Sequence, residues 1–337
     1  MNSVIHPNLN ADVYRNMTAA DRPIVHDKNL QFILIHNEKN AVLGGSNMSD
    51  RYWTGSLWYY NDISDFDRTK AFLASKTESG VCDGAYLEQD KFVVSEDSGV
   101  LQVLGLVETT DIHSQELQSL GYACLHDNSL LTLSVFQDNT HLVTGGMDYC
   151  IKVWDTAELL ATHSFSFAHT DIVTSVDVQP KSSSTFVSTS LDCEALIWDI
   201  RQSEPAQSIL KKDFSLTAAS WNYSLDHLIA IGTDNGDVIL VDIRKTSDSV
   251  LQESKIFSKS VHKVLFNPNP ERSEELACCC DDILVQVLDI NRNLSSIYEN
   301  ERHTDFVRGL AWYKDELFSC SWDNTVNKHT IHSCNDQ

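Results

Sequence analysis

One hairpin recurs along this chain and dominates what it can fold into. TGGMDYCIKVWD ends at Asp155, STSLDCEALIWD at Asp199, IGTDNGDVILVD at Asp242 and CCCDDILVQVLD at Asp289. Each reads as a strand, a tight polar turn and a second strand. Weaker copies lie upstream in GGSNMSDRYWTGSLWYY and VVSEDSGVLQVLG, and downstream in FSCSWDNTVNKHT. Aligning every copy on the position of Trp154 picks out Tyr60, Leu104, Trp154, Trp198, Val241, Leu288 and His329. The steps between them are 44, 50, 44, 43, 47 and 41 residues. Another apolar run precedes several hairpins: FILIH, IVTSVDV, LTAASW and FVRGLAW.

Seven units of this length, built of short alternating strands, predict an all-β fold, a seven-bladed WD-repeat β-propeller. A second spacing agrees. His126 lies 28 residues before Trp154, and His169 lies 29 before Trp198; His303 holds the corresponding place near the end. The expected device is a buried relay, in which a histidine is held by a turn aspartate and a strand hydroxyl, with an indole N–H completing the chain. In blade three the set is His126, Thr144, Asp148 and Trp154. In blade four it is His169, Ser188, Asp192 and Trp198. Such a network stiffens a blade when every member is satisfied. The same residue types make catalytic triads, but recurrence blade by blade at fold-determining spacing favours a structural role. The last unit ends near Ile331, so the strand that closes the ring is expected from the N-terminal side, around Arg22–Asp27. Residues 1–21 read as a polar arm, 22–332 as the propeller and 333–337 as a short tail.

Charge narrows the partners. Of 337 residues, 25 are basic and 48 acidic, a formal net charge of −23. Such a surface repels nucleic acid and anionic lipid and attracts basic partners. No apolar run approaches the ~18 residues of a membrane helix, and the N-terminus lacks the pattern of a secretory signal. The nine cysteines form no Cys-x-x-Cys pair, so we read them as reduced thiols of a cytoplasmic or nuclear protein. His329-x-x-His332-x-Cys334 lacks the second ligand pair of a metal site. Asp234–Asp237 reads as a hairpin turn. The double glycines at 44–45 and 145–146 lie in strands, not before helices. No cofactor or metal is expected.

Two stretches are more specific than the repeat. RYWTGSLWYY at 51–60 and TESGVCDGAYL…VVSEDSGVLQVL at 77–104 resemble the first two blades of the methylosome WD-repeat family. CIKVWD and HTDFVRGLAW…SWDNTV resemble its third and last blades, in the same order. The resemblance implies a non-catalytic adaptor that docks on a type II protein arginine methyltransferase. It further implies help in recruiting basic Arg/Gly-rich substrates such as Sm proteins and histones, with the S-adenosylmethionine chemistry left to the enzyme. An alternative is a substrate receptor of a cullin-type ubiquitin ligase, suggested by Trp198-Asp199-Ile200-Arg201 and a second Asp-Ile-Arg at 242–244. Arg51 and Trp53, in the first hairpin turn, are candidate contacts because Trp and Arg dominate interface hot spots. Phe306, Arg308 and Trp322 are expected to converge on the rim of the last blade, beside the first. Trp58 is expected in the core.

Overall fold

The computed structural model describes residues 29–49, 52–108, 115–245 and 249–331. The expected arm, the ring-closing segment 22–27, Arg51 and the tail 333–337 lie outside the described residues. Seven antiparallel sheets follow one another along the chain. Blade three shows the pattern, with strands Leu130–Val135, His141–Gly146, Ile151–Asp155 and Ala161–Phe165 from the axis outward. Six sheets have four strands, and the seventh has three among the described residues, Val307–Tyr313, Glu316–Ser321 and Val326–Thr330. Each inner strand touches the inner strands of its two neighbours, and that of blade one (Asn29–Asn37) touches that of blade seven. The chain therefore forms a closed seven-bladed β-propeller.

Why the blades stack is visible in the core. Seven separate clusters of buried apolar side chains occur among the described residues, one at each junction between adjacent blades. At the junction of blades three and four, Phe165, Phe186 and Trp198 pack together, the two Phe rings lying 4.8 and 6.1 Å from the indole. Each four-stranded sheet thus gives one face to each neighbour, and no blade has a core of its own.

The glycines in the hairpins serve this packing. A Cβ on Gly145 would come within 2.6 Å of Val173 Cγ1, the first residue of the next inner strand. Gly232 stands in the same relation to Val261, at 2.5 Å. Only hydrogen fits where the next blade presses its inner strand against the second strand. Blade one solves the problem differently: Phe32 is fully buried over Gly44 and Gly84 and fills the junction with blade two.

Candidate functional site

Within blade three the four polar residues meet. His126 Nδ1 lies 2.8 Å from Asp148 Oδ2, and its Nε2 lies 2.8 Å from Thr144 Oγ1. Trp154 Nε1 donates to the same hydroxyl at 2.8 Å. Blade four repeats this: His169 Nδ1–Asp192 2.9 Å, His169 Nε2–Ser188 2.7 Å, Trp198 Nε1–Ser188 2.8 Å. A carboxylate can only accept, so Nδ1 carries the proton, and Nε2 accepts from the hydroxyl. Burial would raise the Asp148 and Asp192 carboxyls, but hydrogen bonds from the histidine and from backbone N–H groups hold both below the ordinary range. The two histidine side chains are fully buried, with no route for a substrate to reach them. Each set is a closed internal chain of donors and acceptors.

Blade seven carries a third network that the sequence did not spell out. His303 bonds Asp323 at 2.9 Å and Ser319 at 2.7 Å. The Trp position holds His329, whose Nε2 lies 2.7 Å from the same Ser319 hydroxyl. The hydroxyl donates to His303, so it accepts from His329, whose Nδ1 then accepts from Tyr298 O–H at 3.0 Å. The direction of the chain requires both imidazoles to be neutral. Burial first, then the neighbouring His303, pushes His329 down to about 4. An imidazole here does the indole's donating; a histidine in the Trp column was the available signal.

The surface candidates lie at one end of the ring. The turn between second and third strands and the loop entering the next inner strand open on the same face by topology. In blade one that hairpin is extended, with backbone pairing continuing to Ser49↔Tyr52 and Met48↔Trp53. Trp53 is therefore carried beyond the ordinary turn, and it is 40% exposed. In blade seven, Phe306 is 38% exposed and meets Trp322 edge-on at 5.5 Å. The Arg308 guanidinium stacks 4.8 Å from the Trp322 centroid and 5.2 Å from that of Phe306. The three rim residues thus form one cluster, and Trp322 Nε1 reaches Gln31 of blade one at 3.3 Å.

Arg308 is less free than an exposed contact would be. Its Nη1 donates to Asp281 at 2.8 Å and to His262 Nδ1 at 2.8 Å, both on blade six. A donor facing Nδ1 requires that nitrogen to be unprotonated, and burial together with the Arg308 charge holds His262 well below its usual pKa. Arg308 therefore braces the two aromatics from beneath. Asp281 and His262, from another blade, are partners that no local pattern announces. Trp58 is only partly buried, with Nε1 donating to Ser56 Oγ at 2.7 Å and Arg68 stacked 5.5 Å from the ring centroid.

The remaining chemistry is sparse. A cavity of about 480 Å³ runs along the axis, and its walls include Asp83, Asp177, His262 and Lys263. Asp177 accepts from Trp221 N–H and Ser134 Oγ–H, joining blades three, four and five, and burial pushes it up to about 6. Among the described residues no three His, Cys, Asp or Glu side chains gather as metal ligands. Arg201 folds back on Asp199 and Arg244 on Asp242, each through Nε and Nη2. The Asp-x-Arg elements therefore close their turns, with both arginine side chains still largely exposed.

These features define a class: a rigid WD-repeat ring that presents aromatic side chains on one face. Residues 119–155, 160–199 and 294–327 match the WD domain, G-beta repeat family. The chain is 31% identical over 298 residues to methylosome protein WDR77 of Xenopus laevis, covering 87% of this chain and 86% of that protein. It is 28% identical over 255 residues to protein valois of Drosophila melanogaster, covering 71% and 69% of the two chains. Protein transport protein Sec31A of Danio rerio is 27% identical over 201 residues, 55% of this chain but 16% of that much longer one. The chain belongs to the WDR77 family of WD-repeat propellers.

Proposed function

We propose that this chain is the adaptor subunit of a methylosome, a non-catalytic scaffold for a type II protein arginine methyltransferase in cytoplasm and nucleus. The observation that carries this reading is the aromatic rim: Trp53, Phe306 and Trp322 on one face of a member of the WDR77 family. The enzyme docks there, with Arg51, two positions before Trp53 in the sequence, as a further contact and Arg308 bracing the other two. Methyl transfer from S-adenosylmethionine belongs to the partner. The charge of −23 gathers basic Arg/Gly-rich substrates, such as Sm proteins and histones, around the assembly.

The test is co-purification with the methyltransferase. A central aromatic anchor is worth about 2 kcal/mol or more at an interface, roughly a thirtyfold loss on truncation. Trp53→Ala and Phe306→Ala should each lose partner while keeping the wild-type melting temperature. Recovery of the enzyme at wild-type level with both variants would remove this rim from the interface.

A further inference from the structure

The turn between second and third strands has the same build in five blades. The N–H of one residue bonds the carbonyl three residues back: Gly99 to Glu96, Tyr149 to Gly146, Cys193 to Ser190, Gly236 to Thr233 and Asn324 to Ser321. In all five the donor is left-handed, with φ of 81°, 64°, 71°, 91° and 71°. Glycine and asparagine adopt this conformation most readily, and a bulky residue does so only at a cost. Blade three nevertheless places a tyrosine there, partly exposed. A second exposed aromatic lies on the loop that enters the next blade. Phe167 is also left-handed, at φ 55°, and is 80% exposed. Its loop is tied to the turn by the His169 N–H donating to the Tyr149 carbonyl at 3.4 Å.

Neither residue is needed by the fold where it stands. Blade four fills the Tyr149 position with Cys193, blade five with Gly236 and blade seven with Asn324. Leu125 and Met147, also exposed, belong to the neighbouring loop and to the same turn. The bases of these loops are immobilised by His126 and His169, each locked in its buried network. Two acidic residues on the same loops, Asp127 and Asp171, stand among the apolar ones. Strained, exposed aromatics on a rigid base mark a binding surface.

We infer that this patch on blades three and four is a docking site for an arginine- and glycine-rich cationic segment of a protein. Planar guanidinium groups stack on Tyr and Phe faces while carboxylates pair with their edges. Glycine lets the backbone lie close to a crowded rim. A net charge of −23 favours that occupant over a nucleic acid or an anionic membrane. The patch shares its face of the ring with the Trp53 and Phe306 rim but lies on other blades. The inference rests on the adaptor reading, to which it adds the place where substrate is held.

The test uses the full chain and a fluorescent peptide of Arg-Gly repeats, with a Lys-Gly peptide of equal charge as control, at about 0.15 M salt to screen diffuse attraction. Wild type should bind the Arg peptide more tightly than the Lys peptide. Tyr149→Gly and Phe167→Asn together should weaken the Arg peptide at least tenfold and leave methyltransferase co-purification intact. Tyr149→Gly should not lower the melting temperature, because it relieves a left-handed bulky residue. Equal peptide binding by wild type and the double variant overturns this site but leaves recruitment standing. No binding to wild type overturns both. Loss of the enzyme from the double variant assigns the patch to enzyme docking and overturns the inference, as does a destabilised Tyr149→Gly.

Discussion

Replacing Asp192 with alanine tests the buried relay at its most connected member. Asp192 accepts from His169 Nδ1–H at 2.9 Å, from Thr170 N–H at 2.9 Å and from Glu194 N–H at 3.0 Å. The two backbone donors lie near the surface and can turn to water. The histidine cannot, since its side chain is fully buried. Losing a hydrogen bond to a charged acceptor costs about 1.5–3 kcal/mol, and stranding the buried donor lies within the same range. We therefore expect a net destabilisation of roughly 2–3 kcal/mol. For a chain of this size that lowers the melting temperature by about 3–4 °C. The control is Asn235→Ala, at the equivalent turn position of blade five. Asn235 is exposed, and among the described residues its side chain makes no hydrogen bond, so the change should stay within about 0.5 kcal/mol. Differential scanning calorimetry of both variants beside wild type gives the answer. If Asp192→Ala melts with Asn235→Ala, the relay contributes nothing and the argument for it is wrong.

Two further tests address other parts of the structure. His329 is pushed down to about 4, so the folded state resists protonation that an unfolded chain accepts near pH 6.5. Its contribution is complete above about pH 6.5 and is lost progressively as pH falls toward 4. NMR titration of the His329 ring should show no midpoint above pH 5, and one at the ordinary value would break the chain from Tyr298 to His303. Gly145→Val places methyl groups where a Cβ alone would meet Val173 Cγ1 at 2.6 Å, so blades three and four must part. Overpacking of this kind costs about 1–3 kcal/mol by denaturant titration, and an unchanged midpoint would show that the blades yield freely there.

The repeat was legible because its signals are local. A polar turn between two apolar strands fits in a dozen residues, and His126 or His169 stands at a fixed distance before its Trp. The closed ring followed from counting such units, and residues 126, 144, 148 and 154 could be named together before any coordinate. What stayed hidden depends on neighbours far apart in the chain or on backbone conformation. Arg308 is held by Asp281 and His262, 27 and 46 residues away, because the ring brings blade six against blade seven. It therefore braces the aromatic rim, where the residue type alone suggested a free contact. The left-handed position of the turn in blade three holds no glycine to announce it, so nothing in the sequence marks Tyr149. His329 stood in the right column, but its part as donor emerged only when Ser319 and Tyr298 were seen on either side of it.

The central claim is that this ring holds an enzyme and its substrate and transforms neither. It is tested most directly by counting methyl groups transferred from labelled S-adenosylmethionine to an Arg-Gly-rich protein. Three reactions are needed: this chain alone, the type II methyltransferase alone, and the two together. The account predicts no transfer by the chain alone and faster transfer by the pair than by the enzyme alone. Transfer by the purified chain, or a pair no faster than the enzyme, would contradict it.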